Sequence, residues 1–142
     1  MIDDPWAYRD IIIDHGHHPR HQGLLDPADI AGEGANPDRG DVVKLTLRLA
    51  DGVISEVGFE SSGSTVLTAS CSLLGDVVCG LIPVDAQARA ERLIELVTGP
   101  DDDGWDAFGE AEALRGIKQN PARVQCGVLP WRTLIQVLAA KG

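Results

Sequence analysis

One segment of the chain, residues 44–49 (KLTLRL), alternates polar and apolar residues with a period of two. This alternation is typical of a β-strand that buries one face. Asp51-Gly52 follows, and this dipeptide favours a tight hairpin turn because both central residues of such a turn have positive φ. Three apolar residues of the return segment fall on one face of the predicted second strand: Val53, Val57 and Phe59. The sequence therefore predicts an antiparallel β-hairpin.

Helical periodicity replaces this alternation from Thr65 to Leu81, where apolar residues recur at a spacing of three and four. A second helix is predicted from a cap at Asp85 to Gly99, and a short helix over 110–117. The last helix is predicted over 128–140, with Pro130 in its first turn.

Residues before the hairpin read as one helix and a long loop. The helix begins at Asp4-Pro5 and ends before Pro19, and residues 20–40 form a loop with one short edge strand near Ile30. Strands followed by helices predict an α+β fold, in which helices pack on a small antiparallel sheet. The length of 142 residues fits one domain spanning residues 1–142.

The charge balance excludes several partners. With 12 basic and 22 acidic residues the net charge is −10, so the basic footprint of a nucleic-acid-binding protein is absent. Apolar runs such as Ile11-Ile12-Ile13 are far shorter than the ~20 residues that span a bilayer. The first residues lack a secretion signal, and three cysteines do not form a paired disulfide framework. We expect a cytoplasmic protein without a membrane partner.

Four short motifs stand in order along the chain. They are Asp14-His15 with Pro19-Arg20, residues 36–41 (NPDRGD), Gly63-Ser64 followed by residues 69–72 (ASCS), and residues 121–126 (PARVQC). This set resembles the U-type iron–sulfur cluster assembly proteins, namely IscU, SufU and the N-terminal domain of NifU. The PAR segment and the insert over residues 99–120 are closest to the SufU branch. The resemblance covers nearly the whole chain and agrees with the predicted α+β fold.

The resemblance implies a metal site of three cysteines and one aspartate, which binds zinc or an iron–sulfur cluster. In this chain Arg39 and Ser64 occupy two of the three cysteine positions, and Asp41 and Cys126 remain. Arginine does not deprotonate in proteins and a serine hydroxyl is a poor ligand, so the ligand set is incomplete. Arg39 either replaces the charge of the metal by pairing with Asp41 and Cys126, or is an exposed side chain on a loop.

The resemblance implies a role in iron–sulfur cluster assembly, as sulfur acceptor or scaffold beside a pyridoxal-phosphate-dependent cysteine desulfurase of the SufS kind. Cys126 is then the candidate persulfide acceptor. One alternative is a metal-free pseudo-scaffold that regulates a desulfurase, and another is a sulfur carrier that uses Cys126 in a specialised pathway. Enzyme signatures such as GxSxG, a P-loop or HExxH are absent, so we expect an assembly or carrier protein and not an enzyme.

Other candidate groups have simpler interpretations. Cys71 and Cys79 are interpreted as packing residues, with Cys79 directed away from the apolar stripe of its helix. The histidines at positions 15, 17, 18 and 21 form a dense cluster, in which His15 and His18 are spaced for one helical face. Because Pro19 ends the helix inside this cluster, a metal-binding role is not favoured. The acidic run over residues 101–106 is interpreted as a solvated loop.

Overall fold

The computed structural model describes residues 5–141 and consists of a three-stranded sheet, four α-helices and two 3-10 segments. The predicted cap at Asp4 lies outside the described residues. In chain order the elements are α1 (Pro5–His17), β1 (Ile30–Asn36), a 3-10 turn (Pro37–Arg39), β2 (Asp41–Ala50), β3 (Val53–Ser62), α2 (Thr65–Val78), α3 (Pro83–Thr98), a long 3-10 segment (Trp105–Ile117) and α4 (Pro121–Lys141).

The sheet has the order β1-β2-β3, and both strand pairs are antiparallel. The predicted hairpin is β2–β3, and its turn has the predicted backbone, with φ of 52° at Asp51 and 79° at Gly52. Helices supply the rest of the apolar core, in which Leu45, Phe59 and Trp131 are completely buried. The prediction of an α+β fold with a small antiparallel sheet is confirmed.

The face predicted for β3 is correct only in part. Leu49 pairs with Ile54 whereas Arg48 pairs with Glu56, so Ser55 is an extra residue in the strand. A β-bulge of this kind reverses the alternation on one side of it. Ile54 is therefore fully buried, and Val53, which was predicted on the buried face, is only half-buried.

The strand near Ile30 is longer than predicted, because β1 has seven residues and pairs with β2 along its length. Its glycines let α4 lie very close to the sheet. A side chain at Gly34 would place its Cβ 2.1 Å from the Thr133 hydroxyl, and one at Gly32 would place it 2.2 Å from Val137. The sequence over 30–36 (IAGEGAN) resembles a loop because it has glycines where a strand ordinarily has larger side chains. The close approach of α4 requires these glycines.

Two helix boundaries differ from the prediction. Pro83 is the first residue of α3 and Asp85 lies in its first turn, so Asp85 is not the cap. Helix α2 ends at Val78, which places Cys79 outside the helix. Cys79 is half-buried against the core, and the prediction that it points away from the packing is wrong.

The start of α4 is the largest correction. The helix begins at Pro121, seven residues before the predicted start, and the Asn120 side chain caps it by accepting the N–H groups of Ala122 and Arg123 at 3.1 and 3.2 Å. Pro130 consequently lies in the interior of the helix, not in its first turn. It has no N–H to donate to the carbonyl of Cys126, four residues earlier.

Among residues 5–141, no helix is both long and apolar enough to cross a bilayer.

Candidate functional site

Three elements bring Asp41, Ser64 and Cys126 together, and we call this group the thiol site. Asp41 is the first residue of β2, Ser64 caps α2, and Cys126 lies in the second turn of α4. Asp41 is only 2% exposed and Cys126 only 7%. The thiol site thus lies at the junction between the sheet and two helices, close below the surface.

The central contact of the site is a hydrogen bond from the Cys126 thiol to Asp41 Oδ2, with an Sγ–O distance of 3.0 Å. Eighty-five residues separate the two side chains in the sequence. A buried carboxylate requires a partner, and here the thiol is one. This pairing places a proton acceptor directly on the sulfur.

The backbone around Gly63 allows this approach. Gly63 has a φ of 150°, and a Cβ there would lie 2.3 Å from Asp41 Oδ1. The next residue, Ser64, accepts the N–H of Leu67 at 3.2 Å and so caps α2. Its hydroxyl also acts on Cys126 and lowers the pKa of that thiol. Ser64 therefore has a structural role that does not depend on a metal.

Burial raises the pKa of the Cys126 thiol above its ordinary value, and the hydrogen bond to Asp41 raises it further. The Ser64 hydroxyl and the charge of Arg39 act in the opposite direction. The predicted start of the last helix at residue 128 places Cys126 just before that helix, which is wrong because α4 already begins at Pro121. The orphan amides of the helix end, which lower a thiol pKa, lie in the preceding turn.

Arg39 lies in the 3-10 turn before Asp41 and its side chain is exposed. Of the acidic groups in the described part of the chain, none lies within ion-pair distance of its guanidinium. The predicted ion pair between Arg39 and Asp41 is not formed, and Asp41 Oδ2 instead accepts a hydrogen bond from the Cys126 thiol. The alternative of an exposed arginine fits this conformation.

Buried hydrogen bonds hold the Cys126 turn in place. The Ser70 hydroxyl on α2 donates to the carbonyl of Gly127, directly after Cys126. The Trp131 indole N–H in turn donates to Ser70 Oγ at 2.8 Å. Because Ser70 and Trp131 are completely buried, α2 and α4 are joined at a fixed position beside the thiol. Sequence analysis identified the ASCS motif but not this role of Ser70.

The donor set of the thiol site does not fit a four-ligand zinc or cluster centre. Asp41 and Cys126 are its two good ligands, and Arg39 and Ser64 supply no thiolate. Over residues 5–141, the described side chains bring no third histidine, cysteine, aspartate or glutamate to this pair at ligand distance.

The predicted histidine cluster separates in the structure. His15 is completely buried, whereas His17 and His18 are exposed, and α1 ends at His17. His15 and His21 each contact residues more than fifty positions away. Of the other cysteines, Cys71 is completely buried within α2, as its interpretation as a packing residue requires.

A family model described as "NifU-like N terminal domain" matches residues 7–127. The iron–sulfur cluster assembly scaffold protein IscU of Streptococcus pyogenes is 34% identical over 92% of this chain and 82% of its own length. The zinc-dependent sulfurtransferase SufU of Bacillus subtilis is 31% identical over 89% of this chain and 86% of its own.

Among solved structures, a proposed iron–sulfur cluster assembly scaffold for the SUF system of Fervidobacterium islandicum superposes with a TM-score of 0.85 at 26% identity. The match covers 96% of this chain and 99% of that one.

Proposed function

The chain belongs to the NifU-like N-terminal domain family, and from that membership we propose that it serves iron–sulfur cluster assembly as a SufU-type sulfur acceptor for a cysteine desulfurase. Its relatives include both a scaffold and a sulfurtransferase by name. We place residues 1–142 in one domain and the protein in the cytoplasm, with a SufS-like pyridoxal-phosphate enzyme as partner. The hydrogen bond between Cys126 and Asp41 is the single observation that carries the proposal.

The transfer step uses the two buried groups of the thiol site. Asp41 takes the proton of Cys126, and the thiolate attacks the outer sulfur of the persulfide on the desulfurase. The sulfur–sulfur bond of the donor breaks, and its electron pair leaves with the cysteine sulfur of the desulfurase, which receives the proton from Asp41. Cys126 then carries the persulfide. No metal takes part in this sequence.

A groove beside the thiol site supplies a surface for the partner. Its volume is about 400 Å³, and Thr65, Val66 and Arg123 are among its lining residues. Arg123 lies three residues before Cys126 on α4 and therefore faces nearly the same way. We propose that the desulfurase contacts this groove. An Arg123→Glu variant should stimulate the activity of the desulfurase less than the wild type does. Arg132 is an exposed arginine of the same helix outside the groove, so Arg132→Glu should stimulate the desulfurase as well as the wild type.

The decisive experiment incubates the protein with a SufS-like desulfurase and cysteine and then measures intact mass. Wild-type protein should gain one sulfur atom per chain, and Cys126→Ser should gain none. Cys79→Ser is the matched control, because Cys79 is half-buried and outside the site. An undiminished gain in Cys126→Ser, or no gain in the wild type, would contradict the proposal.

The second candidate function, a pseudo-scaffold that regulates a desulfurase, is favoured by one observation. Burial and the Asp41 carboxylate both raise the pKa of the Cys126 thiol, which opposes sulfur chemistry at neutral pH. Under this alternative the protein stimulates or inhibits the desulfurase equally well as wild type and as Cys126→Ala. Loss of stimulation in Cys126→Ala supports the sulfur acceptor.

We also propose that the metal site is degenerate because of Arg39 and Ser64 specifically. The double substitution Arg39→Cys with Ser64→Cys would add two thiolates beside Asp41 and Cys126. It should bind one zinc ion per chain in a dialysis experiment, whereas the wild type should bind none at this site. A double variant that still fails to bind zinc would show that these positions do not complete a centre.

A further inference from the structure

A second group of ligand-type side chains lies at the opposite end of α2. His15 of α1, Asp76 of α2 and Glu110 of the long 3-10 segment each present one ligand atom, and these three atoms all lie within 4.8 Å of one another. We call this group the histidine–carboxylate cluster. Ser64 and Asp76 are twelve residues apart on one helix, a rise of about 18 Å, so the cluster is separate from the thiol site.

From this geometry we propose that His15, Asp76 and Glu110 bind a divalent first-row transition metal ion of the class of zinc, cobalt and iron(II). The donor set of one imidazole and two carboxylates suits these ions, and water would complete the coordination. The assignment is independent of sulfur transfer and stands or falls separately from the proposed function.

One pair of atoms in the cluster is already at the distance of neighbouring ligands. His15 Nε2 lies 3.1 Å from Glu110 Oε1. Two atoms bound at about 2.1 Å from one ion, at angles of about 90–110°, are about 3.0–3.4 Å apart. The hydrogen-bonded pair therefore needs little rearrangement to accept an ion between its two atoms and Asp76.

The buried histidine is held by its other nitrogen, as ligand histidines in metal sites are. His15 is 0% exposed, and its Nδ1 lies 2.7 Å from the hydroxyl of Ser72. Ser72 Oγ already accepts the backbone N–H of Arg20 at 2.8 Å. A hydroxyl oxygen has two lone pairs, so it can also accept a hydrogen bond from Nδ1–H and leave the lone pair of Nε2 for the ion.

The carboxylates are positioned in a similar way. His21 Nε2 lies 2.8 Å from Asp76 Oδ1 and orients that side chain. Gly109 interrupts the 3-10 segment with a φ of 57° and a ψ of −132°, and Glu110 follows it directly. Glu110 and Asp76 also line a surface cavity of about 260 Å³, which gives an ion a path from solvent to these two carboxylates.

One positive charge stands near the cluster. The charges of Glu110 and Asp76 both act on Arg20, and that interaction opposes a bound cation. The guanidinium of Arg20 is however engaged elsewhere, with Asp14 at 2.7 Å and the carbonyl of His18 at 3.0 Å. The two carboxylates beside the buried imidazole therefore still attract a cation to the cluster.

The test is a titration of the Cys126→Ser protein with cobalt(II) and zinc(II), followed by visible absorption and calorimetry. Cys126→Ser removes the thiolate, so the remaining site should give the spectrum of nitrogen and oxygen ligands without a sulfur-to-cobalt charge-transfer band. One ion should bind per chain. Adding Asp76→Asn or Glu110→Gln should weaken binding at least tenfold, because each removes one carboxylate ligand while preserving shape.

Matched controls identify the site. Asp85→Asn with Glu91→Gln also removes one aspartate and one glutamate charge, but at exposed positions of α3, and should leave the metal affinity unchanged. His18→Gln tests the exposed histidines near the end of α1. Binding that is lost in His18→Gln, or that survives Asp76→Asn with Glu110→Gln, would overturn the proposal, as would the absence of any binding in Cys126→Ser.

Discussion

The two ends of α2 carry opposite arrangements of the same kinds of groups. At its N-terminal end, the carboxylate of the thiol site, Asp41, is buried and accepts a hydrogen bond from the Cys126 thiol. At the other end the histidine–carboxylate cluster buries its imidazole and exposes both carboxylates. A buried acid beside sulfur suits proton transfer, whereas exposed acids around a buried nitrogen suit capture of a cation. The position of the carboxylate relative to solvent thus separates two chemistries on one helix.

Two buried serines in the middle of α2 connect the helix to the elements that form the two sites. Ser70 joins α4 through Gly127 and Trp131, and Ser72 joins the α1 end through His15 and Arg20. These serines are two positions apart in the sequence, so their side chains point to different sides of the helix. This difference allows one end to be disturbed without the other.

Trp131→Ala should have the largest effect on the free energy of unfolding, because it disrupts the connection between α2 and α4 beside the thiol site. Trp131 is completely buried and donates to Ser70, so its loss leaves a cavity and an unpaired hydroxyl. We expect a loss of about 3–5 kcal/mol in the free energy of unfolding, measured by urea denaturation with a chelator. Trp131→Phe keeps most of the ring and should cost much less. A small effect of the alanine substitution would mean that α4 is not held here.

The two serine substitutions should separate the ends of α2. Ser72→Ala leaves His15 Nδ1 and the Arg20 N–H without their partner, and Ser70→Ala does the same to the Gly127 carbonyl and Trp131. Each should lower the free energy of unfolding by about 1–3 kcal/mol. Cobalt(II) affinity should fall about 10–100-fold in Ser72→Ala and remain unchanged in Ser70→Ala. Equal affinities in both variants would contradict the distinction.

Alkaline pH should destabilise the fold through the thiols. Burial raises the pKa of Cys71 and of Cys126, so their protonated forms stabilise the native state fully below the unfolded pKa, and this contribution is lost as pH rises from about 8.5 toward the native pKa. Each thiol contributes a slope of up to about 1.4 kcal/mol per pH unit. Cys71→Ala should remove one such slope in urea denaturation between pH 9 and 10.5, and Cys126 and Cys79, whose pKa burial also raises, supply the remainder from thiols. An unchanged slope would mean that Cys71 titrates normally.

Arg20→Gln should have the smallest effect on stability and sharpen the comparison. Its ion pair with Asp14 is exposed on both sides, and such pairs contribute little. The shift in thermal midpoint should be smaller than for either serine variant. The cobalt(II) affinity of the cluster should rise, because a charge that interacts with Asp76 and Glu110 is removed. A fall in affinity would mean that Arg20 supports the cluster.

The parts of the fold that local sequence determines were predictable. Alternation and Asp51-Gly52 determine the hairpin, and Pro19 stops α1. The bulge at Ser55 and the glycine-rich β1 were not predictable, because tertiary packing against neighbouring elements determines both. The last helix was predicted to begin at residue 128, although Asn120-Pro121 is an N-cap followed by the residue favoured at the first helical position.

The candidate site shows the same division. The resemblance located Asp41, Ser64 and Cys126 individually, but the bond that joins Asp41 to Cys126 spans 85 residues and follows only from the fold. In the sequence, His15 belongs to a cluster with three other histidines, for which a metal-binding role was not favoured. Its actual partners are Ser72 and Glu110, 57 and 95 residues away, and no local pattern connects them.

Pro130 gives the thiol site a mechanical property. Its missing N–H leaves the carbonyl of Cys126 without the usual bond to the next turn, so the hydrogen-bond series of α4 lacks one bond at the residue that carries the sulfur. We expect the turns from Pro121 to Cys126 to open at a lower free energy than the rest of the helix. Amide hydrogen exchange should therefore be fastest there within α4. A buried thiol would then reach a partner by local opening, while the core of the protein stays folded.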